Sequence, residues 1–105
     1  MPENAEYELT VLAEEDLKSI ARYTKDTWGL QQAKRYETLL SNRFQQIAHG
    51  RVPPRSFLDH RQDLLFTHCE HHYIFYCTRD SECPLIIAVF HERMDLMQRL
   101  KNRLS

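Results

Sequence analysis

Residues 64–90 read LLFTHCEHHYIFYCTRDSECPLIIAVF, and this stretch decides the fold of the chain. It contains three apolar runs, at residues 64–66, 73–76 and 85–90, with polar residues between them. The runs are short and rich in aromatic and β-branched side chains, which is typical of β-strands joined by turns. We therefore expect a meander of three antiparallel strands.

The two segments before this stretch have the spacing of amphipathic helices. Apolar residues recur three and four positions apart from Ala13 to Trp28, and carboxylates occupy the first turn, where the helix dipole favours them. A second helix is expected over residues 31–49, with an apolar stripe that consists of Ala33, Tyr36, Leu40, Phe44 and Ile47. Gly29 and Gly50 follow the helices, at positions where glycine commonly ends a helix. Because only one or two residues join the helices, they must fold back as an antiparallel hairpin.

Shorter elements complete the pattern at both ends of the chain. Residues 7–12 form a β-prone run, and residues 91–104 carry leucines four positions apart, which predicts a short final helix. Two adjacent prolines interrupt residues 51–56, so this segment is expected to be a loop that Phe57 and Leu58 pin to the core.

The order of these elements predicts the fold class. With 105 residues, the chain has the size of one compact domain. The order β-α-α-β-β-β-α over residues 1–105 predicts a two-layer α+β fold. In this fold the helical hairpin packs on a small antiparallel sheet, and a short C-terminal helix follows the sheet.

Composition argues against several functional classes. A formal net charge of −1 does not suit a protein that wraps phosphate backbone without specificity. No apolar run approaches the roughly 18 to 20 residues of a membrane helix, and the acidic start MPENAE lacks an apolar signal region. The 3 cysteines are an odd number without CxxC spacing, so reduced thiols are expected. These features predict a cytoplasmic protein without a membrane segment.

Residues 68–72, HCEHH, are the densest group of potential metal ligands. Zinc requires ligand pairs presented to one tetrahedron, whereas this group has neither CxxC nor HExxH order, and a polar hairpin is the simpler interpretation. No serine has the context of a nucleophile elbow, and no glycine-rich loop is present to bind phosphate. Composition and spacing alone therefore predict no metal, no cofactor and no active site.

Three motifs resemble the RelE/ParE superfamily of bacterial toxins. They are HHYIFY at residues 71–76, IIAVFHERMD at residues 86–95, and AEEDLKSIARYT at residues 13–24, which Trp28 and Gly29 follow. The last motif resembles the ParE branch in particular. The resemblance covers nearly the whole chain, and it implies the toxin of a type II toxin–antitoxin system, a kind of system that stabilises plasmids.

The superfamily has two activities, which differ in the residues they require. RelE-like members cut messenger RNA on the ribosome with two lysines, two arginines and a tyrosine, because cations must stabilise the charged transition state. ParE-like members poison DNA gyrase. Alignment on the IFY of residues 74–76 shows that four of the five RelE positions lack the required side chain: they fall on Leu64, Phe66, Tyr73 and the region of Arg99. Only Arg93 matches.

The resemblance therefore implies a ParE-type toxin that acts by protein contact, without turnover. It implies a hetero-oligomer with a ParD-like antitoxin. It also implies a contact with the A subunit of DNA gyrase, so that the toxin contacts nucleic acid only indirectly, through gyrase. Antitoxins of this family have disordered segments that fold on the toxin, and the helical hairpin is the expected groove. The expected contact residues are Tyr23, Trp28, Tyr36, Arg93, Met94, Leu96 and Leu100. A place in the core is the alternative for the tyrosines, the tryptophan and the leucines, and a pair with Glu92 or Asp95 is the alternative for Arg93.

Two alternatives stay open from the sequence. A divergent mRNA interferase would use Arg93 together with His72 or His91, because a histidine with a pKa near neutrality can act as general acid or base. A family member that binds its antitoxin but is no longer toxic is the other alternative.

Overall fold

The computed structural model describes residues 6–80 and 82–105. The elements, in chain order, are β1 (Glu8–Leu9), α1 (Val11–Trp28), α2 (Leu30–Ala48), β2 (Ser56–Leu58), β3 (Arg61–Cys69), β4 (His72–Arg79), β5 (Glu82–His91) and α3 (Leu96–Leu104). The predicted α+β fold is confirmed: a helical hairpin follows a first strand, the meander follows the hairpin, and a short helix ends the chain. No helix in the described ranges is long and apolar enough to cross a membrane.

The sheet has five strands in the order β1-β5-β4-β3-β2, and it is mixed. The β1 strand pairs parallel to β5, while the other neighbours are antiparallel. The expectation of a purely antiparallel sheet was therefore wrong at this edge. The helical hairpin carries the chain across the sheet to β2, and the strands then return one by one until β5 lies parallel to β1. The β2 strand is a further difference from the expected fold. Phe57 packs on Phe66 and Phe75, as expected for a loop held to the core. However, the backbone of residues 56–58 pairs with β3 and therefore belongs to the sheet.

Capping residues place the starts of α1 and α3 at positions different from those expected from the spacing of apolar residues. The Thr10 hydroxyl accepts a hydrogen bond from the Ala13 amide at 3.1 Å, so α1 begins at Val11, earlier than its apolar stripe. Residues 91–95, which were expected to be helical, finish β5 and turn, because Asp95 caps α3 by accepting from the Gln98 amide.

The hairpin of α1 and α2 packs on one face of the sheet. Gly29, at φ +97°, joins the two helices directly, and only glycine adopts this conformation without strain. The core on this face consists of Ala13, Tyr36, Leu40, Phe44, Ile47, Leu65, Cys69, Ile74, Tyr76, Ile86 and Val89.

The opposite face is partly covered by α3, through the fully buried Leu100. A bulge at Ile87 interrupts the pairing of β4 with β5. The Ile87 carbonyl accepts from the guanidinium of Arg103 at 2.9 Å, and the Val89 amide donates to Asp16 at 3.0 Å. Side chains of α1 and α3 thus satisfy the part of the β5 edge that lies beyond β1.

Candidate functional site

A groove of about 370 Å³ runs between α1 and α2. The wall from α1 includes Leu17, Ile20 and Ala21, which are only partly buried, and the wall from α2 includes Tyr36 and Leu40. Lys18, Glu37 and Ser41 add polar groups to the lining. An apolar groove with a few polar groups is the usual geometry for taking up an amphipathic helix of a partner.

The three hairpin residues expected in this groove lie in different places. Tyr36 lines it, although only 8 % of its surface is exposed. Tyr23 is 66 % exposed and does not line the groove, because it lies about 100° around α1 from the buried Thr24. Trp28 continues the apolar stripe but is the last residue of α1, and it is 71 % exposed.

Tyr36 connects the groove to a group of histidines at one end of the sheet. The Tyr36 hydroxyl accepts a hydrogen bond from the His71 amide at 3.1 Å and lies 2.6 Å from Nδ1 of His72, to which it donates when the proton of His72 is on Nε2. Burial, together with His91 and His71, lowers the pKa of His72 to about 4. His72 is therefore neutral at pH 7, with Nδ1 occupied, and poorly suited to general acid catalysis.

Glu92 organises the exposed part of this histidine group. One carboxylate oxygen lies 3.0 Å from Nε2 of His68, and the other lies 3.2 Å from Nδ1 of His71. These hydrogen bonds lower the pKa of Glu92. His91 accepts from the Arg93 amide at its Nδ1, which shapes the turn before α3. No group of three or more His, Cys, Asp or Glu side chains in residues 6–80 and 82–105 is arranged to hold a metal ion.

The positions that align with the RelE cations carry apolar and aromatic packing. Leu64 is fully buried. The Phe66 ring lies 5.3 Å from Phe57 and 6.1 Å from Tyr73, and the guanidinium of Arg55 lies 5.0 Å above it. These side chains form the second core of the protein on the face that α3 partly covers.

The residues expected near the C-terminus also differ in exposure. Arg93 is exposed, Met94 is 39 % exposed, Leu96 is half-buried and Leu100 is 0 % exposed, so Leu100 has no surface for a partner in this conformation. Sequence reasoning missed Met97, which is 40 % exposed. The sequence does indicate this exposure, because Met97 lies beside the stripe of Leu96, Leu100 and Leu104 and is not part of it.

Comparison with known proteins identifies the family. The family model described as "ParE toxin of type II toxin-antitoxin system, parDE" matches residues 7–96. The chain is 43 % identical over 99 residues to an Escherichia coli protein named Toxin ParE, and the match covers 94 % of this chain and 96 % of that protein. A solved structure described as "Chromosomal ParDE TA system from P. aeruginosa" has a TM-score of 0.68 and 12 % identity, and the match covers 81 % of this chain and 92 % of that one. The last likeness is one of fold alone. The first two, over nearly the whole chain, show that this chain belongs to the ParE toxin family of type II toxin–antitoxin systems.

Proposed function

We propose that this protein is the toxin of a two-protein system, that it poisons DNA gyrase by direct contact, and that a ParD-like antitoxin neutralises it. Membership of the ParE family carries this proposal. The A subunit of gyrase is the proposed contact, and the protein turns over no substrate of its own. DNA is reached only through gyrase, in the cytoplasm.

The packing of the RelE-like positions supports contact over catalysis. Cleavage of RNA in the RelE manner needs cations beside the scissile phosphate, and the aligned positions hold the buried Leu64 and the ring cluster of Phe66 and Tyr73. The low pKa of His72 removes one of the two histidines that could act as general acid. His91, the second of these histidines, accepts a backbone hydrogen bond at Nδ1, which leaves only its Nε2 for contact with a substrate.

The groove between α1 and α2 is the proposed antitoxin site. Leu17 and Ile20 present apolar surface to it from α1, and Tyr36 and Phe44 line it from α2. A disordered antitoxin segment that folds into a helix there buries apolar surface on both partners, and this burial offsets the entropy lost on ordering.

A supercoiling and DNA-cleavage assay tests the gyrase proposal. Purified protein is added to gyrase with relaxed plasmid and ATP, with and without the cognate antitoxin. We expect loss of supercoiling and accumulation of linear, protein-linked DNA, and we expect the antitoxin to reverse both effects. Normal supercoiling at excess toxin would contradict the proposal, and cleavage of messenger RNA on added ribosomes would then favour an interferase.

A matched pair of variants tests the groove. Ala21→Arg places a long cationic side chain into the groove, whereas Ser19→Arg places the same side chain on the exposed face of α1. We expect Ala21→Arg to inhibit gyrase yet resist the antitoxin, and Ser19→Arg to behave like the wild type. If the antitoxin reverses both variants equally, the groove is not its site.

A further inference from the structure

Tyr36 belongs both to the groove and to the end of the sheet. Its side chain lines the groove between α1 and α2. Its hydroxyl contacts the turn that joins β3 to β4, where it accepts a hydrogen bond from the His71 amide at 3.1 Å and lies 2.6 Å from Nδ1 of His72. The tyrosine therefore links the groove to the first residue of β4.

His72 itself is buried and does not line the groove. Only 7 % of its surface is exposed. Its ring packs between Tyr36 and His91, with ring centroids 5.4 and 5.1 Å away. An effect of His72 on the groove therefore has to act through a neighbour, and Tyr36 is the neighbour that shares a hydrogen bond with it.

The contacts of the Tyr36 hydroxyl determine which tautomer of His72 satisfies both side chains. A hydroxyl has one proton to donate, and its oxygen here accepts from the His71 amide. Among the described residues, the acceptor within reach of that proton is Nδ1 of His72. Nδ1 accepts only when it carries no proton, so the neutral ring must be protonated on Nε2. The pKa of His72, lowered to about 4 mainly by burial, keeps the ring neutral at pH 7.

We propose that His72 is a positioning residue of the groove: its unprotonated Nδ1 accepts the proton of the Tyr36 hydroxyl and thereby holds the tyrosine side chain in the groove wall, in the conformation that the antitoxin binds. The inference rests on the proposed function, which assigns the antitoxin to this groove. A buried hydroxyl without an acceptor is unfavourable, so a tyrosine released from His72 turns towards water. The open space beside it is the groove of about 370 Å³, and a side chain that enters this space obstructs the antitoxin.

A double-mutant cycle tests whether His72 acts through the tyrosine hydroxyl. His72→Leu removes the acceptor and leaves the hydroxyl without a partner, whereas Tyr36→Phe removes the hydroxyl itself. Binding to the purified cognate antitoxin is measured by calorimetry at pH 7. We expect His72→Leu to bind about tenfold more weakly than the wild type, and the double variant to bind within about threefold of Tyr36→Phe alone. A purely structural loss at His72 would weaken binding equally in both backgrounds.

Two further variants separate positioning from stability. His72→Asn retains an acceptor for the hydroxyl and should bind within about threefold of the wild type. Thr67→Val is the control, because Thr67 is 8 % exposed and accepts a hydrogen bond from Arg43 of α2 at 3.1 Å without lining the groove. We expect this control to bind the antitoxin like the wild type, even if its melting temperature is lower.

The tautomer of His72 is measured independently of binding. The NMR shifts of its two ring nitrogens show which of them carries the proton. At pH 7 we expect the proton on Nε2, both in the free protein and in the complex with the antitoxin. A proton on Nδ1 would overturn the inference, because the Tyr36 hydroxyl could not then donate to this ring. This measurement decides the question if His72→Leu does not fold.

The outcomes distinguish this inference from the proposed function. Equal affinity of His72→Leu and the wild type, or equal weakening in both backgrounds, would overturn the inference and leave the proposed function intact. A loss in Thr67→Val as large as that in His72→Leu would also overturn it, because the effect would then reflect a weaker attachment of α2 to the sheet. If the wild type binds no antitoxin, the proposed function fails, and the inference fails with it.

Discussion

The two faces of the sheet are covered in different ways. On one face lie two helices of 18 and 19 residues, joined by a single glycine, with a continuous apolar core beneath them. On the other face lies one helix of 9 residues with a single fully buried side chain, Leu100. Polar contacts at its two ends, to Asp16 and through Glu92, supplement that one anchor. The two long helices are therefore held to the sheet by extensive burial, whereas the attachment of α3 depends on Leu100 and a few directed contacts.

This difference predicts that the two faces differ in local stability. Elements with few buried contacts open more readily than the core, and surfaces that bind partners are often drawn from such elements. The hairpin provides the groove, while the position of α3 depends on the buried Leu100 and on the ion pair of Arg103 with Asp16. Changes on either side of the molecule test this contrast.

The largest effect is expected from the hairpin core. Phe44 is 1 % exposed and lies between α2 and the sheet, so Phe44→Ala should reduce the free energy of unfolding by about 3–5 kcal/mol. Urea denaturation followed by circular dichroism measures this loss. Leu39→Ala is the control, because Leu39 is 38 % exposed on the same helix, and it should cost less than about 1 kcal/mol. Similar losses for the two variants would show that the hairpin face is not the main core.

Local patterns predicted the hairpin and the meander, because both follow from the spacing of apolar residues within one element. The β2 strand escaped prediction, since its three residues are too few to show a period. The parallel pairing of β1 also escaped, because pairing depends on a partner some 77 residues away, as the Thr10 contact to Ile87 illustrates. Trp28 belongs to a helical stripe in the sequence, and the stripe does not reveal that the helix end leaves this residue exposed.

The candidate site was harder to predict for a related reason. The Tyr36–His72 hydrogen bond joins residues 36 positions apart, and the Arg103–Asp16 pair joins residues 87 apart. No local spacing encodes such contacts. Tyr36 was expected as a partner contact, and its hydroxyl bonds a histidine inside the fold while its side chain lines the groove.

The buried histidine gives the second prediction, on the hairpin face. A pKa of about 4 in the folded state, against 6.5 as the ordinary value, means that the unfolded chain binds more protons between these pH values. The contribution of His72 to stability is therefore fully present above pH 6.5 and is lost as pH falls towards 4. The loss amounts to about 3 kcal/mol between these two pH values.

His72→Asn checks this pH dependence. Asparagine retains an acceptor for the Tyr36 hydroxyl but does not titrate. Urea denaturation across the same pH range should therefore give a flatter dependence for the variant than for the wild type. Parallel curves for the two proteins would show that His72 does not cause the acid sensitivity.

The smallest effect is expected from the contacts between α3 and the rest of the protein. Asp16→Asn weakens the contact to Arg103, and the bond from Val89 is then made to a neutral amide oxygen. Both partners of the ion pair are 17 % exposed, so we expect a loss of about 2 kcal/mol in the free energy of unfolding.

Hydrogen exchange of backbone amides in this variant should accelerate in α3 before it accelerates in α2, because the weakened contact involves α3 and not α2. Asp63→Asn, which breaks an exposed pair with Arg61, should leave the unfolding midpoint unchanged. Equal acceleration in α2 and α3 would mean that the two faces unfold as one unit, and the predicted difference in local stability between the hairpin and α3 would then be wrong.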